Sequence, residues 1–180
     1  MLLIEPEAVL ETERLCLEPL LRSHAAILFP LLQDERIYRY IPQEPPISVA
    51  ALEERYHTLE NRLSPTGDEA WLNWAVRLKA SAVYTGRVEA SVTHGTAQLA
   101  YEFCPRFWGQ GYATEACRRV LWLLFDGYGV STVLADVDTR NIASIRLLER
   151  LGFKRVAHRA AADFFKGTVS DEYSYWLAAS

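Results

Sequence analysis

The sequence has little of what marks a disulfide-rich or metal-binding protein. It contains three cysteines, Cys16, Cys104 and Cys117, an odd number without Cys-x-x-Cys spacing. We therefore expect free thiols in a reducing compartment rather than a disulfide framework. The four histidines have no His-x-x-x-His or other ligand spacing, so we expect no metal site.

The sequence also lacks an excess of positive charge and a long apolar run. Its formal net charge is -4 at pH 7, whereas a general nucleic-acid-binding domain normally has a basic excess. The strongest apolar run, residues 120–125, is far too short to cross a bilayer, and the N-terminal residues lack the basic region of a signal peptide. We expect a cytoplasmic protein that binds neither nucleic acid nor membranes.

What is present is the composition of an ordinary globular domain. The chain has 180 residues, of which 50% are hydrophobic and 23% are charged. This length is enough for one domain with a sizeable core. The sequence therefore predicts a single domain over residues 1–180.

Hydrophobic periodicity predicts a mixed order of helices and strands. Four segments are predicted as helices, the first with Ser23 and the second with Ser48 as N-cap: residues 23–33, 48–63, 112–125 and 142–151. Seven segments are predicted as strands: residues 12–20, 72–78, 86–93, 97–103, 132–137, 153–158 and 170–177. This order predicts an α/β (α+β) domain whose mixed, mostly antiparallel, twisted sheet of about seven strands has helices on both faces.

The run R-F-W-G-Q-G-Y-A-T-E-A at residues 106–116 joins a predicted strand to a predicted helix. Gly109 and Gly111 let a ligand approach the backbone, and the first helical amides together with the helix dipole favour an anion. A Walker-type Gly-x-x-x-x-Gly-Lys-Ser/Thr loop is absent, and Thr114 replaces the last glycine of a dinucleotide fingerprint. From the spacing alone, an ordinary turn remains an alternative.

A second candidate follows the predicted strand at residues 132–137. Asn141 stands where a helix N-cap would stand, and Ser144 lies in the first turn of the next helix. Plain capping by Asn141 and a solvated Ser144 are the structural alternatives to a binding role.

Together, these motifs resemble those of the GNAT superfamily of acyl-CoA N-acyltransferases. The run R-x-x-G-x-G-Y-A at residues 106–113 is similar to its acyl-CoA motif, and N-x-x-S at 141–144 followed by L-G-F at 151–153 is similar to its second motif. The opening T-E-R-L at 12–15, with Asp34 and Tyr38, resembles the branch of the ribosomal-protein N-acetyltransferases (RimJ/RimL type). The resemblance implies a GNAT-type sheet that splays at the acyl-CoA site.

The resemblance also implies acetyl-CoA as donor, no metal, and a primary amine as acceptor. The pantetheine arm would lie along an exposed strand edge, and backbone amides of the glycine-containing turn would hold the pyrophosphate. The implied cofactor-binding residues are Phe103, Arg106, Phe107, Trp108, Gly109, Gln110, Gly111, Tyr112, Ala113, Thr114, Asn141 and Ser144. An arginine of the segment 146–150 is a weaker candidate for the 3′-phosphate.

The resemblance also suggests catalytic residues. Many relatives use a tyrosine four residues after the asparagine as general acid, and here Ile145 occupies that place. Ser144 is therefore the candidate that hydrogen-bonds the sulfur, as in the ribosomal-protein branch. Glu102 is the first candidate for the base, with Glu89, Asp171 and a chain of waters as alternatives.

The expected function is direct attack of an amine on the bound thioester. A protein N-terminal α-amine is the preferred acceptor, and a small-molecule amine such as a polyamine is the alternative. A third hypothesis is a non-catalytic acyl-CoA-binding module that acts as a sensor or partner protein. The final strands could also pair across a homodimer.

Overall fold

The computed structural model describes residues 8–179, in which eight strands form one continuous sheet. The strands are β1 Leu10–Glu11, β2 Leu15–Pro19, β3 Ala70–Leu78, β4 Tyr84–Thr93, β5 Thr96–Phe103, β6 Thr132–Asp138, β7 Lys154–Phe165 and β8 Thr168–Ala178. Their order in the sheet is β1-β2-β3-β4-β5-β6-β8-β7. Only the β5–β6 pair is parallel among these neighbours.

Residues 8–179 contain four α-helices: α1 His24–Leu28, α2 Val49–Leu59, α3 Tyr112–Trp122 and α4 Ile142–Arg150. They lie on both faces of the sheet. Because side chains alternate along a strand, Trp74 joins the core that contains α3 and α4 residues, while its neighbour Ala75 joins the core that contains α1 and α2 residues. The predicted mixed, mostly antiparallel sheet with helices on both faces is confirmed, and the additional strand is the two-residue β1.

The predicted first helix is wrong in its length and in its cap. Helix α1 ends at Leu28, and a separate 3-10 turn covers Leu31–Gln33. Pro30 lies between them, and a proline lacks the amide that an α-helix interior needs. The Ser23 side chain makes no cap hydrogen bond; instead, His24 Nδ1 accepts a hydrogen bond from the Leu21 amide at 2.9 Å.

The other predicted helices are present with shifted ends. Ser48 Oγ accepts a hydrogen bond from the Ala51 amide at 3.0 Å, as expected of the N-cap. Helix α2 ends at Leu59 rather than near Leu63, and Arg62 has a positive φ of 57° that a helix cannot contain. Helix α3 passes into a π-turn at Leu123–Gly127.

The three cysteines are free and buried. None of the helices that the structure describes has the length and apolar character needed to span a bilayer.

Candidate active site

The most important feature of the sheet is a gap between β5 and β6. These strands pair only where residues 96–98 face residues 132–134. Beyond that point β5 stays paired with β4 as far as Phe103, and β6 stays paired with β8 as far as Asp138. Two strand edges therefore face each other without a ladder between residues 99–103 and 135–138, and we call this space the sheet gap.

The glycine turn, residues 108–111, follows the end of β5 after a short 3-10 turn at Pro105–Phe107. Gly109 and Gly111 have φ angles of 74° and 82°, which glycine adopts without steric cost. Gly111 is the N-cap of α3, and its carbonyl accepts the first helical hydrogen bond, from the Glu115 amide at 3.0 Å. The amides of the first helical turn have no partner inside the helix, so they can bind an anion.

Side chains within this segment hold the turn to the strand. Trp108 Nε1 donates a hydrogen bond to the Phe103 carbonyl at 2.7 Å, and Gln110 Nε2 donates to the Arg106 carbonyl at 3.1 Å. The Arg106 guanidinium lies over the Phe107 ring, 4.6 Å from its centroid. These contacts use the side chains for structure and leave the glycine backbone as the anion-facing surface.

The T-E-R-L segment contacts the same turn. Arg14 Nη1 donates to the Gln110 carbonyl at 3.0 Å, and its Nε donates to the Glu115 carboxylate at 2.6 Å. Thr12 also donates to Glu115. Burial favours the neutral acid, but hydrogen bonds from Thr12 and Arg14 outweigh it and hold the pKa of Glu115 below its ordinary value. We call Arg14, Glu115 and the Gln110 carbonyl the Arg14 clamp.

The N-terminus of α4 lies at the end of β6. Asn141 Oδ1 accepts a hydrogen bond from the Ser144 amide at 3.2 Å, so Asn141 is the helix cap. Its Nδ2 atom has no hydrogen-bond partner within residues 8–179 and can still donate to a ligand. Asp138, held by Arg140 and by Ser170 Oγ, fixes the corner before the cap.

Tyr101 is a candidate that the sequence analysis missed. It lies on β5, and burial raises the pKa of its hydroxyl, while an interaction with the Ser144 side chain opposes that rise. Two hydroxyl groups therefore lie close together where β5 faces α4. Ile145 packs against the core instead of presenting a polar group. The alternation of side chains along β5 could have indicated that Tyr101 and Glu102 lie on opposite faces of the sheet. The contact between Tyr101 and Ser144 depends on tertiary packing, which the sequence pattern does not give.

Glu102 points to the opposite face from Tyr101 and contacts Arg87. Arg87 Nε lies 3.1 Å from one Glu102 oxygen and Nη2 lies 3.4 Å from the other. The Arg87 side chain, only 3% exposed, also contacts Glu89 at 2.8 Å. Burial favours the neutral form of Glu102, but the Arg87 charge outweighs it and keeps the pKa of Glu102 below its ordinary value. Glu102 is therefore an ionised carboxylate, not an exposed side chain.

The remaining candidate base, Asp171, has a different environment. It accepts a hydrogen bond from the Ala161 amide at 2.8 Å and lies 3.7 Å from His158. The structure thus brings Glu89 and Glu102 together around Arg87 and places Asp171 in the β7–β8 hairpin. Within the described residues no group of three or more His, Cys, Asp or Glu side chains could hold a metal ion.

A cavity of about 230 Å³ lies next to the Arg87–Glu102 pair. We call it the α2 cavity, because α2 and the proline loop that precedes it, residues 41–46, enclose it. Its lining includes Tyr38, Pro46, Arg55, Tyr56, Arg87 and Glu102. The Tyr38 hydroxyl donates to the Leu32 carbonyl at 3.0 Å, whereas the buried Tyr56 hydroxyl has no partner within residues 8–179.

Comparisons with known proteins find relatives over most of the chain. A family model described as "Acetyltransferase (GNAT) domain" matches residues 14–154. The uncharacterized N-acetyltransferase YoaA of Bacillus subtilis is 25% identical over 170 residues, which cover 93% of this chain and 94% of that protein.

Two solved structures share the fold at low sequence identity. The ribosomal-protein-S5-alanine acetyltransferase of Vibrio fischeri superposes with a TM-score of 0.81 at 15% identity, covering 95% of this chain and 96% of the other. The spermidine N-acetyltransferase of Vibrio cholerae, in complex with CoA and spermine, superposes with a TM-score of 0.79 at 22% identity, covering 93% and 96%.

Proposed function

The chain belongs to the GNAT acetyltransferase family and is an N-acetyltransferase, and from this premise we propose that it acetylates protein N-terminal α-amines with acetyl-CoA as donor. The observation that carries the donor proposal is the sheet gap, which leads along β5 into the glycine turn. Family membership favours this enzyme over the non-catalytic acyl-CoA-binding module.

The residues at the gap fit acetyl-CoA. The exposed edge of β5 can pair with the amides of the pantetheine arm as an added strand would. Open space surrounds the position where a Cβ of residue 109 would lie, so the pyrophosphate can approach the backbone there. We propose that the amides of Phe107, Gly109, Gly111, Tyr112 and Ala113 hold it, with the Thr114 hydroxyl adding a bond. Asn141 Nδ2 would hold the cofactor arm.

We propose that side chains on two sides of the thioester assist the transfer of protons during the reaction. When bound, acetyl-CoA supplies a thioester carbon that a neutral amine attacks, with release of the thiol. Ser144, with Tyr101 beside it, would hydrogen-bond the sulfur from the α4 side. On the opposite side, Glu102 would accept a hydrogen bond from the neutral amine and take up the proton that the nitrogen loses once the C–N bond has formed, and the departing sulfur gains a proton in turn.

The ionised Glu102 favours an α-amine over a lysine side chain. A carboxylate with a lowered pKa is a weak base, so it cannot readily deprotonate an ammonium group of high pKa. With an α-amine pKa of about 7.8 and a lysine pKa of about 10.4, roughly a third of the former but only about one in a thousand of the latter is neutral at pH 7.5. The alternative, a small-molecule amine such as a polyamine, remains the competing acceptor class.

Substitution of Gly109 tests the donor site. In Gly109→Val the new side chain would lie where the pyrophosphate approaches, so we expect the Kd for acetyl-CoA to rise at least about tenfold, equivalent to ~1.4 kcal/mol. Isothermal titration calorimetry measures this constant, and CoA release with an alanyl peptide measures transfer.

The matched control is Gly67→Val. Gly67 has a similar φ of 76° and similarly open surroundings, so both variants carry the same backbone strain, but Gly67 lies in the turn before β3. We expect Gly67→Val to lose comparable stability and to bind acetyl-CoA normally. Normal affinity in Gly109→Val would show that the donor does not use this turn.

A further inference from the structure

The polar side chains that line the α2 cavity differ in whether they already have hydrogen-bond or ion-pair partners in the protein. The cavity has two kinds of hydrogen-bonding side chain: acidic groups, which accept, and Arg and Tyr groups, which can donate. The acidic Glu102 already accepts hydrogen bonds from Arg87, and Glu44 lies 3.4 Å from Lys166. The acidic side of the cavity therefore has partners within the protein.

Two donors in the same cavity have no such partners. The Tyr56 side chain is 0% exposed, and its hydroxyl makes no hydrogen bond within residues 8–179. The neighbouring Arg55, an exposed residue that also lines the cavity, has no hydrogen bond or ion pair in that part of the chain, although its charge helps to lower the pKa of Glu102. Leaving a buried hydroxyl without a partner costs about 1–3 kcal/mol, so a ligand that accepts its hydrogen bond would recover this energy.

The protonation state of Tyr56 fits a donor role. Burial raises the pKa of the Tyr56 hydroxyl to about 12, so it keeps its proton throughout the neutral range. Arg55 always carries its charge at these pH values. The two groups therefore offer donors to a ligand, while Glu102 lines the same cavity as an acceptor for the ligand's amine.

Building on the proposed function, we propose that Tyr56 and Arg55 bind a carbonyl or carboxylate group next to the acceptor amine. An amine with such a neighbour is an amino acid or the N-terminus of a peptide. A polyamine has no carbonyl or carboxylate oxygen that could accept from these two donors, and it would place positive charge beside Arg55 and Arg87. The α2 cavity thus selects amine substrates that carry a carbonyl or carboxylate oxygen, which a polyamine does not have.

The test compares acceptors that share an amine and differ in the neighbouring group. Alanyl peptide, free alanine, isopropylamine and spermidine are assayed by CoA release with wild type and Tyr56→Phe. We expect Tyr56→Phe to raise the KM for the peptide and for alanine about tenfold, as expected for one lost hydrogen bond of ~1.4 kcal/mol, and to leave isopropylamine unchanged. Because the substitution removes a hydroxyl without a partner, the melting temperature should stay the same or rise.

The Arg55→Gln variant distinguishes the two possible ligands of this site, the carboxylate of a free amino acid and the first carbonyl of a peptide. A free carboxylate carries a full charge, so a larger loss for alanine than for the peptide would identify the amino acid as the source, and equal losses would identify the peptide carbonyl. Tyr38→Phe is the matched control, since it removes a hydroxyl from the same cavity whose hydrogen is already donated to Leu32. It should lower stability without changing the order of the acceptors.

Three results would overturn the inference. Wild type could use spermidine with a higher kcat/KM than the alanyl peptide, Tyr56→Phe could affect isopropylamine as much as the peptide, or Tyr38→Phe could reproduce the effect of Tyr56→Phe. Each leaves acetyl transfer itself intact. Failure to acetylate any amine, in contrast, would overturn the proposed function and the inference that rests on it.

Discussion

At the scale of single residues, the site depends on which side chains already have partners. Glu102 and Arg87 lie directly opposite each other in the register of β4 and β5, so their pairing is fixed by the sheet. Asn141 uses one amide atom for its helix and leaves the other for a ligand. The buried hydroxyl of Tyr56 makes no hydrogen bond with the described residues. We therefore expect ligands to bind where a side chain has a hydrogen-bonding atom without a partner in the protein.

The pH dependence of the reaction tests the ionised state of Glu102. Its pKa is held below the ordinary value of 4.5, so the carboxylate does not titrate between pH 6 and 9. For an alanyl peptide, kcat/KM should rise with pH along one limb near the amine pKa of about 7.8. In Glu102→Gln the height of that profile should fall while its midpoint stays. If the rise of kcat/KM with pH that the wild type shows were absent in Glu102→Gln, the result would contradict this account.

The same ion pair should be visible in the stability of the protein. Because the folded-state pKa is lowered, the contribution of Glu102 is present above its unfolded value and is lost as pH falls through the folded value. Glu102→Gln should lose about 1–3 kcal/mol of unfolding free energy at pH 7, and this difference should shrink below pH 4.5. Urea unfolding at several pH values measures it, and a difference that is constant down to pH 3 would exclude the pair as its cause.

At the scale of elements, a short N-terminal segment orients the turn that is proposed to bind the donor. The Arg14 clamp joins the residues before β2 to the glycine turn and to the first turn of α3. Arg14 also lies over the Tyr112 ring, 4.6 Å from its centroid. Since a preorganised site loses less entropy on binding, the clamp should contribute to donor affinity.

Removal of the clamp provides a test at this scale. In Arg14→Ala the Gln110 carbonyl and Glu115 lose their shared partner, so we expect the Kd for acetyl-CoA to rise about fivefold, equivalent to ~1 kcal/mol. The control is Arg22→Ala, since Arg22 also forms ion pairs but contacts Glu53 and Glu54 of α2. Calorimetry that shows equal donor affinity in the two variants would exclude a role of the clamp in binding.

Some features of the helices, strands and turns could be predicted from local sequence, and others could not. The Ser48 cap and the glycine turn were predictable because each depends on a few adjacent residues with special side-chain or backbone chemistry. The break at Pro30 followed from local chemistry as well, but apolar spacing through residues 27–32 suggested one helix. The Arg87–Glu102 pair, the Tyr101–Ser144 contact and the α2 cavity bring together distant segments, so local patterns could not predict them.

At the scale of the whole molecule, the sheet separates the two proposed substrates. The glycine turn, α3 and α4, which are proposed to bind the donor, lie on one side, while α2 and the proline loop enclose the α2 cavity on the other. The sheet gap is the place where the two sides can meet. The β7–β8 hairpin reaches the proline loop, where Lys166 Nζ donates to the carbonyls of Tyr38, Ile41 and Gln43. The outer edge of β7 is where we propose that a second copy would pair in a homodimer.

The central claim is most directly tested with one peptide that carries both a free N-terminal alanine and an internal lysine. After incubation with acetyl-CoA and the protein, tandem mass spectrometry locates the acetyl group. We expect the acetyl group on the N-terminal α-amine, since roughly a third of this amine but only about one in a thousand of the lysine amine is neutral at pH 7.5, and an ionised Glu102 cannot readily deprotonate the lysine. Acetylation of the lysine side chain alone, or of neither amine, would contradict the proposed function.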